Sequence, residues 1–186
     1  MLKKALVVLA EGFEEIEAIA PIDVLRRAGI RVTVAGLKDK CVKSSRGLAV
    51  QADCLLADVK DLPDAVVLPG GLPGATHLAG DARLAVFLKR MVEDEKLVAA
   101  ICASPALVLA PLGVLDGKKA TCYPGCETEF SSQIVHSAER VVRDGNMITS
   151  QGPGTSLEFA LEIVRSLVGE EMVRTLREKM LIREPL

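Results

Sequence analysis

An apolar run that stops abruptly, a helical pattern and a second β-branched run follow one another within the first 36 residues. No other feature limits the fold of this chain so tightly. Residues 4–10 are continuously apolar after Lys4 and end at Glu11-Gly12, the pattern of a buried strand. Residues 14–28 predict a helix that ends at Gly29, with Arg26 and Arg27 in its last turn, where cations suit the helix dipole. Pro21 interrupts that pattern, and a kink is expected there. Residues 30–36 alternate as a second strand. Strand, helix, strand at this spacing is a βαβ unit, and its two strands must be parallel.

The rest of the chain continues the theme. Residues 40–60 are less regular, with short strands expected on either side of Ser44-Ser45-Arg46-Gly47. Residues 65–69 form a strand closed by Gly70-Gly71-Leu72-Pro73-Gly74. A helix is expected over 81–94, a central strand over 97–101 and a helix over 104–112. Two strand-like runs meet at Asp144-Gly145 within 141–149, a hairpin signal. Helices are expected over 156–168 and from about 170 to 181. A single domain over 1–186 follows, since 186 residues lie within the usual size of one domain. The class is α/β, with a mostly parallel sheet and a small hairpin.

Charge and cysteine usage narrow the function. A net charge of −2 leaves no electrostatic footprint for nucleic acid or an anionic membrane. No apolar run reaches the roughly 20 residues of a membrane span, and Met1–Ala10 lacks a cleavage site, so a soluble cytoplasmic protein is expected. The five cysteines, Cys41, Cys54, Cys102, Cys122 and Cys126, do not form a disulfide framework. Cys122 and Cys126 have metal-like spacing, but no second ligand pair follows, and no metal site or cofactor is expected.

The chemistry concentrates at Val98–Pro105. An apolar strand gives way at Cys102 to Ala103, Ser104 and Pro105, which open a helical pattern. Amides at a helix start favour a thiolate. Cys102 reads either as a reactive thiolate or as a small buried hydrophobe. In an open parallel sheet, sites lie beyond the carboxyl ends of the strands. Four loops should open there: Glu11-Gly12, Pro69-Gly70-Gly71, Cys102 and Gly152-Pro153-Gly154. Gly70 and Gly71 offer unobstructed amides for an oxyanion, or simply make the turn. No GxGxxG or P-loop pattern is present. On the first helix, Ile16, Ala20 and Val24 form an apolar stripe, and Glu17 falls at its edge, roughly 20° past Val24. Glu17 is therefore the carboxyl expected to press inward with a raised pKa, while Glu14 and Glu15 lie off the stripe. A glutamate favoured there by the helix dipole alone is the other reading. Neither His77 nor His136 has a placement that favours pairing with Cys102, so a Cys-His hydrolase is disfavoured.

Read together, Ala5–Ala10, Glu14–Glu17, Asp23–Ile30, Val32–Gly36, Ser45–Gly47, Val67–Gly71, Ala99–Ala103 and Thr149–Thr155 resemble the ThiJ/PfpI superfamily, and most closely its DJ-one/YajL branch. The resemblance runs through nearly the whole chain. It implies a flavodoxin-like three-layer sandwich with helices on both faces, a class I glutamine amidotransferase-like domain with Cys102 on a strained nucleophile elbow and Glu17 as its partner carboxyl. It implies that Gly70, Gly71 and the Ala103 amide line the pocket, with Pro153 close by. It implies a homodimer through the first helix, and anion contacts from Arg46 and Arg27, one of them across subunits. Ala103 stands where the protease-like branch has histidine, so protease activity is not implied. Tyr123 stands where some relatives carry a histidine, and is expected as a pocket wall. The implied function is a cofactor-free, cysteine-dependent glyoxalase or deglycase acting on small dicarbonyls or glycated protein. The alternative is a redox-sensing stress protein or chaperone whose cysteine oxidises to sulfinate.

Overall fold

The computed structural model describes residues 2–183. Its chain runs β1 (Lys4–Leu9), α1 (Glu15–Arg27), β2 (Arg31–Gly36), β3 (Cys41–Lys43), β4 (Ala49–Gln51), β5 (Cys54–Leu55) and β6 (Ala65–Leu68). Then come α2 (Gly74–Ala79), α3 (Ala82–Glu93), β7 (Leu97–Ile101), β8 (Lys119–Ala120), β9 (Val135–His136), β10 (Val141–Asp144), β11 (Met147–Ser150), α4 (Ser156–Val168) and α5 (Glu170–Lys179). The main sheet has the order β10-β11-β7-β6-β1-β2-β5. Its neighbours are parallel except the β10–β11 hairpin, which turns at Gly145-Asn146 with Gly145 in the left-handed region.

The alternation of side chains along each strand builds two cores. Ala5, Val7 and Leu9 of β1 face the layer of α1 and α4, with Val24, Leu25, Phe159 and Ile163. Leu6 and Val8 face the other layer, with Leu84, Leu88 and Met91 of α3. Both faces are covered, which is why the central strands read as unbroken apolar runs rather than as alternations. No helix among the described residues is long and apolar enough to cross a membrane.

Two expectations need correction, and Pro21 is accommodated within α1, which continues past it to Arg27. Pro21 leaves the Glu17 carbonyl without its usual donor four residues on, but its ring is buried with Ala18, Val24 and Leu25 on the packed face. The apolar stripe on α1 is also displaced. Glu17, Ala18, Pro21, Val24 and Leu25 face inward, whereas Ile16 and Ile19 are 55% and 39% exposed. Glu17 therefore sits within the buried face rather than at its edge. Finally, the helix expected over 104–112 is a π turn at Pro105–Leu109 followed by a tight 3₁₀ turn at Ala110–Leu112. The Ala110 amide reaches back five residues to the Pro105 carbonyl. Pro111 has no N–H with which to continue an α ladder.

Sequence order places β2 on one side of β1 and β6 on the other. The chain thus reverses its winding between β1 and β6, and the crevice at such a reversal, at the strands' carboxyl ends, is where open sheets hold their ligands.

Candidate active site

Cys102 follows directly on β7, and its φ is +66°. A side chain in the left-handed region costs about 1–3 kcal/mol, and such residues persist where surrounding bonds hold them. The Cys102 amide donates to the Ser150 carbonyl at 2.9 Å, and the Cys102 carbonyl accepts from the Tyr123 amide at 2.8 Å. Two residues on, the Ser104 hydroxyl donates to the Pro69 carbonyl at 2.6 Å. These bonds anchor the elbow to β11, to the loop that carries Tyr123, and to the glycine loop after β6. The effect is to lift the sulfur out of the strand while the backbone stays paired.

Glu17 reaches the same edge from the first turn of α1. The Glu14 side chain caps that turn, accepting the Glu17 amide at 2.8 Å. The Glu17 side chain is completely buried. Its Oε2 accepts the Gly70 amide at 2.8 Å, across the β1–β6 crevice. Its Oε1 is buried with no hydrogen-bond partner among the described residues. An orphaned buried carboxyl oxygen is rare enough to require a reason. A protonated carboxyl supplies one, since the neutral form needs fewer partners than the carboxylate.

The glycines allow this approach. A Cβ at Gly70 would lie 2.7 Å from the Cys102 Cβ and 2.8 Å from Glu17 Oε2, closer than atoms can pack. At Gly71, φ is +88° and a Cβ would lie 2.5 Å from the Glu14 nitrogen. Gly152 was not singled out by sequence reasoning. A Cβ there would lie 3.2 Å from the Tyr123 ring and 4.0 Å from Glu17 Oε1, so the ring and the carboxyl both border the space beside Gly152. The signal for Gly152 was its place in Gly152-Pro153-Gly154, at the end of β11. The expectation that both glycine amides serve an oxyanion is revised. The Gly70 amide is committed to Glu17, and the amides that act on the sulfur are those of Gly71 and Ala103.

The electrostatics follow from this packing. Burial raises the Glu17 carboxyl to about 7; the Cys102 thiol and the Gly70 amide oppose the rise, and the Glu14 charge adds to it. The Cys102 thiol is pushed up by burial, then by the Glu17 charge and its hydrogen bond, with the Gly71 and Ala103 amides acting the other way. The two groups therefore titrate as one unit that readily holds a single negative charge. When Glu17 carries the proton, its charge is gone and its O–H donates toward sulfur. Two of the three influences that raise the thiol are then removed or reversed.

Other expected residues fall nearby or apart. Pro153 begins a short turn before α4 and borders a groove with Ile16 and Leu157. The Arg46 amide donates to Glu15 Oε1 at 2.8 Å, and Ser44 donates to the same oxygen at 2.5 Å, fastening the β3–β4 hairpin to α1. Burial raises the Glu15 carboxyl, but the hydrogen bonds from Ser44, Arg46 and Ser45 outweigh it and leave it below the usual range. Arg27 pairs with Asp23 at 2.6 Å. It lies ten residues along α1 from Glu17, about 15 Å at the helical rise, so within one chain it does not reach Cys102. His77 Nδ1 donates to the Glu11 carbonyl at 2.9 Å, and His136 packs edge-on against Phe130.

The chain as a whole is similar to known proteins. Residues 3–166 match the model of the DJ-1/PfpI family. Protein dj-1beta of Drosophila melanogaster is 45% identical over 98% of this chain and 98% of its own. The structure of oxidized Toxoplasma gondii DJ-1 superposes with a TM-score of 0.95 at 40% identity, covering 98% of this chain and all of that one. A glutathione-independent glyoxalase of Caenorhabditis elegans, DJR-1.2, is 38% identical over 94% of both chains. With a mostly parallel sheet between helical layers, an elbow cysteine after β7 and relatives matched end to end, this chain belongs to the DJ-1/PfpI family.

Proposed function

We propose that the protein is a glutathione-independent glyoxalase acting on small dicarbonyls. The observation that carries this reading is the buried Glu17 carboxyl, raised to about 7, packed against a cysteine held at positive φ. The Caenorhabditis elegans relative named as a glyoxalase supports it. The Cys102 thiolate attacks the aldehyde carbon of methylglyoxal, and the C–O π electrons move to oxygen to give a hemithioacetal. That oxygen lies toward the Gly71 and Ala103 amides and takes the proton of Glu17. Glu17, now ionised, removes the proton from the former aldehyde carbon and returns it at the adjacent carbon, while the hydroxyl proton passes from the first oxygen to the second. The result is a thioester of the 2-hydroxy acid. Water cleaves that bond, releasing lactate and regenerating the thiol. A carboxyl that titrates near neutrality is suited to both halves of this exchange. Deglycation of methylglyoxal and glyoxal adducts on proteins would begin from the same attack. The test is methylglyoxal consumption, with the product identified, for wild type, Cys102→Ser and Glu17→Ala.

A second reading, redox sensing, is favoured by the same amides and the protonated carboxyl, which are donors placed for a sulfinate. Mild peroxide should add two oxygens to the intact mass, located at Cys102, and Glu17→Leu should suppress that product. Oxidation elsewhere at equal rate would remove this reading. We also propose a homodimer through α1, in a cytoplasmic setting. Ile16 and Ile19 present apolar surface on α1, and Ile16 borders a groove with Leu157, itself 41% exposed. Sedimentation should show a wild-type dimer and a monomeric Ile16→Glu; an unchanged dimer would place the interface elsewhere.

A further inference from the structure

The short parallel pair β8–β9 does something the cysteine spacing does not announce. It sets Ala120 opposite His136, so His136 arrives beside the segment Thr121–Cys122 that continues β8. The chain then turns through Pro124-Gly125, where the Cys126 amide donates to the Tyr123 carbonyl at 2.9 Å, and a 3₁₀ turn brings Glu127 back. Cys122 Sγ, a Glu127 carboxyl oxygen and a His136 ring nitrogen all lie within 4.8 Å of one another. Cys126 opens that turn, four residues on from Cys122.

We propose that Cys122, Glu127 and His136 form a binding site for a divalent zinc-like cation, with the fourth position left to water. The donor set is chemically matched to such an ion: a thiolate, an imidazole and a carboxylate, completed by water, suit tetrahedral zinc. Bond lengths near 2.0–2.3 Å in a tetrahedron separate ligand atoms by about 3.2–3.8 Å. The cluster is therefore within about an ångström or so of closing, and Glu127 and His136 are not buried. The Gly125 amide donates to Glu127 Oε2 at 2.6 Å, which orients the carboxylate and leaves its other oxygen for the metal. Binding releases the Cys122 thiol proton to solvent, with no change in oxidation state.

The site adjoins the elbow. Tyr123 lies between Cys122 and the turn, and its amide donates to the Cys102 carbonyl. A bound cation would clamp the loop that carries Tyr123 against the Cys102–Gly152 edge. The ion has a structural role in this proposal and no part in the chemistry at sulfur.

Cobalt chloride is the probe, titrated into the reduced full-length chain as wild type and as Cys102→Ser. In Cys102→Ser the site retains one cobalt per chain, with sulfur-to-cobalt charge transfer and tetrahedral visible bands, displaced stoichiometrically by zinc chloride. Cys122→Ser and His136→Gln in that background each weaken binding by at least about tenfold, the lower end of what even outer-shell changes cost. His136 is exposed, so His136→Gln decides the matter if Cys122→Ser fails to fold, as judged by far-ultraviolet circular dichroism. Absence of cobalt binding in Cys102→Ser would overturn the proposal. So would binding there that survives His136→Gln undiminished.

Discussion

Cys102→Ser should reduce methylglyoxal turnover by at least about 10³-fold while leaving the fold intact, as loss of an activated nucleophile does elsewhere. The sulfur is the reacting atom only because a thiolate is accessible to it. A serine hydroxyl at the same elbow is far less acidic, and the arrangement provides no histidine to take its proton. His77 and His136 are engaged with Glu11 and Phe130 respectively. Serine must also adopt φ +66°, so the strain at this position is the same in both proteins and stability should change little. The measurement is product formation under saturating methylglyoxal, with circular dichroism to confirm folding. Turnover within tenfold of wild type would sink the glyoxalase reading and leave the second, redox reading to stand or fall on its own test.

Glu17→Gln should act in opposite directions on activity and stability. Turnover should fall by about 10²–10⁴-fold, the usual contribution of a positioned acid–base group. The fall should be accompanied by loss of the pH limb near 7 that Glu17 contributes. Stability should rise. The carboxyl titrates near 4.5 when unfolded and near 7 when folded, because burial disfavours its charged form. Below pH 4.5 it is neutral in both states and costs nothing. As pH climbs from 4.5 to 7, the unfolded chain releases the proton and the folded chain retains it, so wild-type stability declines. Above 7 the decline is complete, and at about 1.4 kcal/mol per pH unit it amounts to about 3 kcal/mol. Glutamine carries no such liability, and its amide oxygen still accepts the Gly70 N–H. The stabilisation by Glu17→Gln should therefore be near zero at pH 4 and about 3 kcal/mol at pH 8, by urea unfolding at each pH. A pH-independent difference would mean that Glu17 is not the group titrating near 7.

The helical wheel of α1 shows how partial sequence reading can succeed. It pointed to Glu17 as the inward carboxyl, and Glu17 is completely buried. Yet it turned Ile16 and Ala20 inward too, and neither is buried. A wheel finds a stripe of apolar residues but not which of two apolar faces a neighbouring helix and sheet will cover. On this helix, one face meets α4 and β1 while the other carries Ile16 and Ile19 to the surface. The glycine loop is similar. Gly70-Gly71 was visible as a loop with open amides, but the assignment of one amide to Glu17 depends on a residue 53 positions away.

What the amino-acid sequence determined by itself is local and periodic. Apolar runs of strand length, separated by helical patterns and punctuated by Gly and Pro, dictate βαβ units and a parallel sheet. Strands of that kind put Cys102, Gly70-Gly71 and Gly152 at one edge. Burial and backbone geometry are short-range consequences of side-chain size and shape, so they can be read along the chain. Only the tertiary structure decided the rest: the positive φ at Cys102, the orphaned oxygen of Glu17, and the parallel pairing that brings His136 to Cys122. Each of these depends on atoms far apart in sequence, brought within a few ångströms by packing, and no local pattern encodes that distance.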